Sequence, residues 1–169
     1  MGIVESTYAE LKQQELKNNP YSCLHMADID INPHQIEAFT FALSSLELGG
    51  AILADEVGLG KTIEAGLVIK YLLCSGKNKI LLIMPSNLRK QWQVELEEKF
   101  DIDSLIVDSS NWEDYLTKVK SKQAVIIVSY HFASKRKAEF GKIAWDFCVF
   151  DEAHRLRNVY KNGSKTVSY

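Results

Sequence analysis

Gly50-Ala51-Ile52-Leu53, followed by Ala54-Asp55-Glu56-Val57-Gly58-Leu59-Gly60-Lys61-Thr62, is the stretch that decides the fold. A short apolar run leads into a glycine-containing turn, and a cation and a hydroxyl then open a helical pattern. A helix N-terminus directs unsatisfied backbone N–H groups outward, and glycine lets an anion approach them without a Cβ in the way. Gly58 and Gly60 stand where the chain must turn tightly, Lys61 can reach the β/γ-phosphates of a triphosphate, and the Thr62 hydroxyl can ligate Mg²⁺. Gly50 to Leu53 is expected as a short buried strand before the loop. Thr62 to Leu73 is expected as a helix with Ile63, Leu67, Tyr71 and Cys74 recurring along it. The general pattern G-x-x-x-x-G-K-[ST] wants Gly at position 55, and this chain has Asp there.

The loop gains meaning from a second segment. Trp145-Asp146-Phe147-Cys148-Val149-Phe150 has the continuous apolar character of a parallel strand buried on both faces, and Asp151-Glu152-Ala153-His154 follows at its C-terminal end. Open α/β sheets bind ligands at the carboxyl ends of their strands. Asp151 is placed to hold Mg²⁺ through its water shell, and Glu152 to orient and deprotonate an attacking water. Loop and acid pair together imply ATP hydrolysis, with ATP and Mg²⁺ as the species bound.

Between these motifs strands and helices alternate. Strands are expected at 51–53, 80–84, 104–107, 124–128 and 146–150, and helices at 61–74, 87–99, 112–120 and 131–140. Strands separated by helices imply a mostly parallel sheet with helices on both faces, an α/β fold. Ahead of the loop, Asn32 caps a helix that Pro33 opens, with Ile36, Phe39, Leu43 and Leu46 along one face and Gly49-Gly50 as the stop. Residues 1–31 form a separate N-terminal helix, starting near Thr7, and a connector; the tail from Arg155 is polar.

Asp55 to Thr62, taken with Asp151-Glu152-Ala153-His154-Arg155-Leu156-Arg157-Asn158, resembles superfamily 2 nucleic-acid motors, and among them the Swi/Snf-type double-stranded DNA translocases. In that group an Asp-Glu pair precedes G-L-G-K-T, so Asp55 becomes a family mark. Other segments resemble the family's motifs in the family's order. Asn32-Pro33-His34-Gln35 is similar to the Q motif, which implies that Gln35 reads the adenine edge. Pro85-Ser86-Asn87-Leu88-Arg89-Lys90-Gln91-Trp92 is similar to motif Ia, and Val128-Ser129-Tyr130 to the next strand-end motif. Glu64-Ala65-Gly66 leans toward the bacterial, RNA-polymerase-associated branch. The resemblance spans about Ile31 to Lys165.

What the resemblance implies is a first RecA-like ATPase lobe over residues 32–169. Nucleotide is held by Gln35, Glu56, Gly58, Leu59, Gly60, Lys61 and Thr62, metal by Thr62 and Asp151, and catalysis rests on Lys61, Asp151 and Glu152. His154 couples the nucleotide to a second lobe, and Pro85, Ser86, Arg89, Ser129 and Tyr130 face DNA. The implied partners are double-stranded DNA, the second RecA-like lobe, and RNA polymerase or a defence-complex subunit. Motif III and the arginine fingers of the second lobe do not occur within the 169 residues. Such arginines are worth roughly 10³ to 10⁵ in rate, so this chain alone is expected to bind nucleotide and hydrolyse it slowly.

Size and composition agree with one α/β domain. The 169 residues are 46% hydrophobic and 25% charged, ordinary proportions for a globular protein with a real core. No apolar run approaches the roughly 18 residues of a membrane span. Cys23, Cys74 and Cys148 are odd in number and widely spaced, as expected for reduced thiols in a cytoplasmic protein. Residues 1–114 carry 9 Lys/Arg against 18 Asp/Glu, and residues 115–169 carry 11 against 4. That asymmetry fits nucleic-acid contact around Ser129-Tyr130, and equally fits solvated lysine-rich helix faces. Trp92 lies four residues from both Leu88 and Leu96, which places it in the core rather than on a base-stacking platform. Two other functions share the loop motif: a nucleotide-switched protein-interaction module, and the motor lobe of a restriction or phage-defence system.

Overall fold

A computed structural model of the chain describes residues 19–20, 22, 32–53, 60–118 and 124–156. The expected helix near Thr7, most of the connector, loop residues Glu56, Gly58 and Leu59, and the tail beyond position 156 lie outside the described residues. The chain divides into two compact units, one of residues 1–77 with 95–102 and one of residues 78–94 with 103–169.

The second unit is built on a parallel sheet. Strands β1 (Lys79–Met84), β2 (Ser104–Ile106), β3 (Ala124–Ser129) and β4 (Phe147–Phe150) lie in the order β2-β3-β1-β4. Every pairing is parallel, with Leu81 opposite Ile126 and Leu82 opposite Val149. The expected parallel sheet is therefore present, and β1 has the apolar run that a central strand buried on both faces requires: Ile80, Leu81, Leu82, Ile83 and Met84 are all buried. One face carries Leu81, Ile83, Ile126 and Val128 into a core shared with Trp112, Tyr115, Tyr130, Phe132 and Phe140. The rings come from helices α4 (Trp112–Lys118), α5 (Tyr130–Lys135) and α6 (Lys137–Phe140). Each such apolar side chain stabilises the fold by roughly 1.5–3 kcal/mol when fully buried, and the ring pairs add geometry to area: Trp112 and Phe132 meet edge to face at 5.5 Å.

The first unit holds α1 (Pro33–Leu46), α2 (Lys61–Cys74) and the second half of α3 (Arg89–Phe100). Helix α1 begins as expected, with the Asn32 N–H donating to Gln35 Oε1 at 3.0 Å, and ends at left-handed Gly49 and at Gly50. Its inward face is rotated from the expected one: Gln35, Phe39, Ala42 and Ser45 are buried, while Ile36 is exposed. Gln35 turns inward with its amide oxygen accepting from the Asn32 N–H. In α2 a Gly sits mid-helix: a Cβ at Gly66 would stand 2.3 Å from the Phe100 ring, so only glycine allows this close approach.

Three expectations are corrected. Residues 51–53 form no strand, and Ile52 is 87% exposed. A three-residue apolar run has the same pattern whether or not it finds a partner, and pairing is not a local property. Strand β4 is not buried on both faces: it lies at the end of the strand order, Cys148 is exposed and Phe150 is 48% exposed. The single helix expected at 131–140 breaks at Arg136 (φ −112°, ψ 23°), which spans α5 and α6 with its guanidinium on Glu139 and over the Trp112 ring.

Candidate functional site

In the first unit the described part of the phosphate loop is its end. Gly60 adopts φ +95° and ψ 32°, a left-handed conformation that favours glycine, and its carbonyl accepts from the N–H groups of Ile63 (2.7 Å) and Glu64 (3.1 Å). Lys61 and Thr62, both half-buried, are therefore the first residues of a 14-residue helix, at the end toward which its backbone N–H donors point. The positive end of the helix dipole and these donors suit an anion. Gln35 is 3% exposed and packs directly on this end of the loop: its Nε2 lies 2.8 Å from where a Cβ at Gly60 would stand. Its Oε1 is engaged by the Asn32 amide, so the amide nitrogen is the group it turns toward the loop.

In the second unit Asp151 and Glu152 follow β4 directly. The Asp151 N–H donates to the Ile83 carbonyl (3.0 Å), extending the β1–β4 ladder by one bond. Three more hydrogen bonds converge on the residue. Its Oδ1 accepts from the Glu152 N–H (2.8 Å), its Oδ2 from the Trp92 indole Nε1–H (2.9 Å), and its carbonyl from the Tyr130 hydroxyl (2.8 Å). Glu152 has φ +55°, a left-handed backbone rare for a residue with a side chain, and such strain concentrates at functional sites. The Glu152 side chain is exposed and its Oε2 lies 2.9 Å from His154 Nδ1. His154 is the second residue of a single 3₁₀ turn, Ala153–Leu156.

The residues expected to face DNA divide. Ser86 is exposed, and half-buried Arg89 donates from Nε to the Ser86 carbonyl at 3.3 Å at the start of α3. Pro85, Ser129 and Tyr130 are buried. Ser129 caps α5 by accepting from the Phe132 N–H (3.1 Å), and the Tyr130 hydroxyl is the donor to Asp151. The side chains of Ser129 and Tyr130 thus act inside the unit. Lys135, Lys137 and Lys142 are exposed near this strand end, and Arg136 is engaged by Glu139 and Trp112.

Trp92 is the residue whose part the sequence hid. Its spacing put it in the core, where it is, at 4% exposed. The signal available was chemical: a buried indole N–H needs an acceptor. Here that acceptor is the carboxylate at the end of β4.

Comparisons with known proteins fit this geometry. A family model described as the SNF2-related domain matches residues 34–168. The RNA polymerase-associated protein RapA of Yersinia enterocolitica is 34% identical over 151 residues, 85% of this chain and 16% of that protein. An uncharacterized ATP-dependent helicase of Bacillus subtilis, YqhH, is 40% identical over 142 residues, 81% of this chain and 23% of that protein. Among solved structures, the Sulfolobus solfataricus SWI2/SNF2 ATPase core in complex with dsDNA superposes with a TM-score of 0.68 at 24% identity, over 80% of this chain and 29% of that one. The chain therefore spans under a quarter of the length of these two relatives, and the fold is that of the SWI2/SNF2 core.

Proposed function

Because the chain belongs to the SNF2-related domain family, we propose that it is the nucleotide-binding first lobe of an ATP-driven motor on double-stranded DNA. The observation that carries this reading is Asp151, a carboxylate held in one orientation at the carboxyl end of a parallel strand, with strained Glu152 next to it. The family resemblance pairs this end with the loop around Lys61. Gly58, Leu59 and Gly60, together with Glu56 and Gln35, are the residues that the family resemblance assigns to holding the nucleotide, and Lys61 to neutralising its outer phosphates. Glu152 takes a proton from the attacking water, and the broken bond is the one between the β-phosphate oxygen and the γ-phosphorus, releasing ADP and phosphate.

The residues present fit Mg²⁺. Thr62 and Asp151 offer oxygen donors only, the ligand type that suits a hard cation. That is the donor set of an ion held chiefly by phosphates and water, and when bound it would supply charge neutralisation at the phosphates. His154, bonded to Glu152, is the link toward a second lobe. Ser86 and Arg89, with Pro85, Ser129 and Tyr130 shaping the ground behind them, make the DNA-facing edge. One of the relatives is named for its association with RNA polymerase, which supports RNA polymerase as a partner and a cytoplasmic site of action. Among the described residues no helix is long and apolar enough to cross a membrane.

The test pairs two variants. Lys61→Ala should abolish measurable ATP binding by the 169-residue chain, whereas Glu152→Gln should bind ATP as the parent does. The unaltered chain is expected to turn over slowly, and to gain DNA-stimulated ATPase when a matching second lobe is added, a gain that Glu152→Gln should lack. Equal loss of binding in both variants, or no effect of DNA on the reconstituted pair, would refute the reading.

A further inference from the structure

Two segments singled out by the sequence for facing DNA each send a buried polar atom to the same acid. Trp92 follows the Pro85–Leu88 turn by one helical turn, its N–H donating to the Leu88 carbonyl at 3.0 Å, and its indole reaches Asp151 Oδ2 at 2.9 Å. Tyr130 follows β3 directly, and its hydroxyl reaches the Asp151 carbonyl at 2.8 Å. Both residues are about 95% buried, so their rings cannot swing aside without opening the core. We propose that Trp92 is a positioning residue for Asp151, with Tyr130 as its backbone counterpart, so that the motif Ia turn and the β3 end set the direction of the carboxylate. The proposal rests on the reading of Asp151 as the acid that faces Mg²⁺.

The chemistry is specific. An indole N–H only donates, so it holds a carboxylate and cannot hold a protonated acid's hydroxyl by accepting from it. With Oδ2 taking the indole and Oδ1 the Glu152 amide, each oxygen keeps one further lone-pair direction for the water shell of a cation. A hydrogen bond to an ionised group is among the strong ones. Removing the donor leaves the carboxylate held by the Glu152 amide alone, and loss of such a supporting partner typically lowers metal affinity about 10- to 100-fold. A shift of the Pro85–Arg89 turn on meeting a polyanion would pass along the first turn of α3 to the same oxygen.

The experiment measures binding. ADP affinity of the 169-residue chain is titrated with Mg²⁺ and again with EDTA, for the parent, Trp92→Phe, Tyr130→Phe and Asp151→Asn. The parent should bind ADP more tightly with Mg²⁺; Asp151→Asn should lose that gain. Trp92→Phe should lose about tenfold or more of it, Tyr130→Phe less, both with EDTA affinity unchanged. A purely structural role for Trp92 would lower both affinities together or move only the melting temperature, and that result overturns the proposal. Asp151→Asn losing the gain while Trp92→Phe keeps it also overturns the proposal and leaves the reading of Asp151 standing. No Mg²⁺ gain in the parent overturns both. Should Trp92→Phe fail to fold, the indole ¹H–¹⁵N resonance of Trp92 in the parent decides. It should shift on adding Mg²⁺ with ADP and not with ADP in EDTA, and an unmoved resonance refutes the coupling.

Discussion

Gly66→Ala should destabilise the chain although the residue is in the interior of a helix, where Ala ordinarily gains about 1 kcal/mol over Gly. The opposing effect is steric. A Cβ at Gly66 would stand 2.3, 2.5 and 2.9 Å from three atoms of the Phe100 ring, against ordinary contact at 3.4 Å or more. The ring would have to move by about 1 Å, and its surroundings hold it. Phe100 is fully buried. Its carbonyl accepts from the buried Lys70 Nζ at 2.6 Å. Left-handed Asp101 (φ +51°) closes the helix behind it, with Asp101 and Ile102 N–H groups bonded to the Glu97 and Leu96 carbonyls. Overpacking of this kind costs typically 1–3 kcal/mol and occasionally more, and full loss of the ring's packing, about 3–5 kcal/mol, is the ceiling. Three contacts this short put the cost in the upper part of that range, about 2–3 kcal/mol; after the helix gain is subtracted, a net loss of roughly 1–2 kcal/mol remains, or about 2–8 °C in Tm for a domain of this size. Urea unfolding followed by circular dichroism measures it. The double variant Gly66→Ala/Phe100→Leu should lose less than the sum of the singles, by about 1 kcal/mol or more. A Gly66→Ala chain as stable as the parent or more stable would refute the steric account, because the helix term alone predicts that outcome.

Gly60→Ala combines a left-handed backbone at φ +95° with a contact of 2.8 Å to Gln35 Nε2; a loss of about 1–2 kcal/mol is expected from the backbone alone, and Gln35→Ala in the same chain should relieve only the steric remainder. Equal recovery to the parent's urea midpoint would show that the backbone is not strained. Tyr115 is fully buried with no hydrogen-bond partner for its hydroxyl among the described residues, and burial pushes that hydroxyl above the usual range. The folded state therefore keeps a proton that the unfolded chain releases above about pH 10. Stability is full below that pH and falls as pH rises further. Tyr115→Phe should flatten this alkaline decline and, with no hydrogen bond to lose, should match or exceed the parent at pH 7; an unchanged alkaline slope would place the titration elsewhere.

Much of the fold was legible because its signals are local. The run Ile80 to Met84 is apolar without alternation, as a strand buried on both faces demands, and it is β1. Asn32-Pro33 starts α1 and Gly49-Gly50 stops it, since capping and left-handed turns involve only neighbours in sequence. The failures share one cause. Ala51-Ile52-Leu53 and Phe147 to Phe150 have strand composition, yet whether a strand finds partners on both sides depends on other segments. Ile36 was placed inward and Gln35 was not, because helical periodicity ranks residues by apolarity. An amide whose oxygen is hydrogen-bonded within the first turn can reverse that order.

The residue types at the two motifs, by themselves, determined which chemistry this chain is equipped for: glycine and lysine at a helix start suit phosphate, and an acid pair at a strand end suits a cation and a water. That follows from charge and donor type, which are written in the residues. Only the tertiary structure decided what each side chain touches. Trp92 and Asp151 are 59 positions apart, Tyr130 and Asp151 are 21 apart, and Gly66 meets a ring 34 residues away. Such contacts are set by the stacking of strands and helices, so an indole that spacing assigned to the core became the donor that aims the acid.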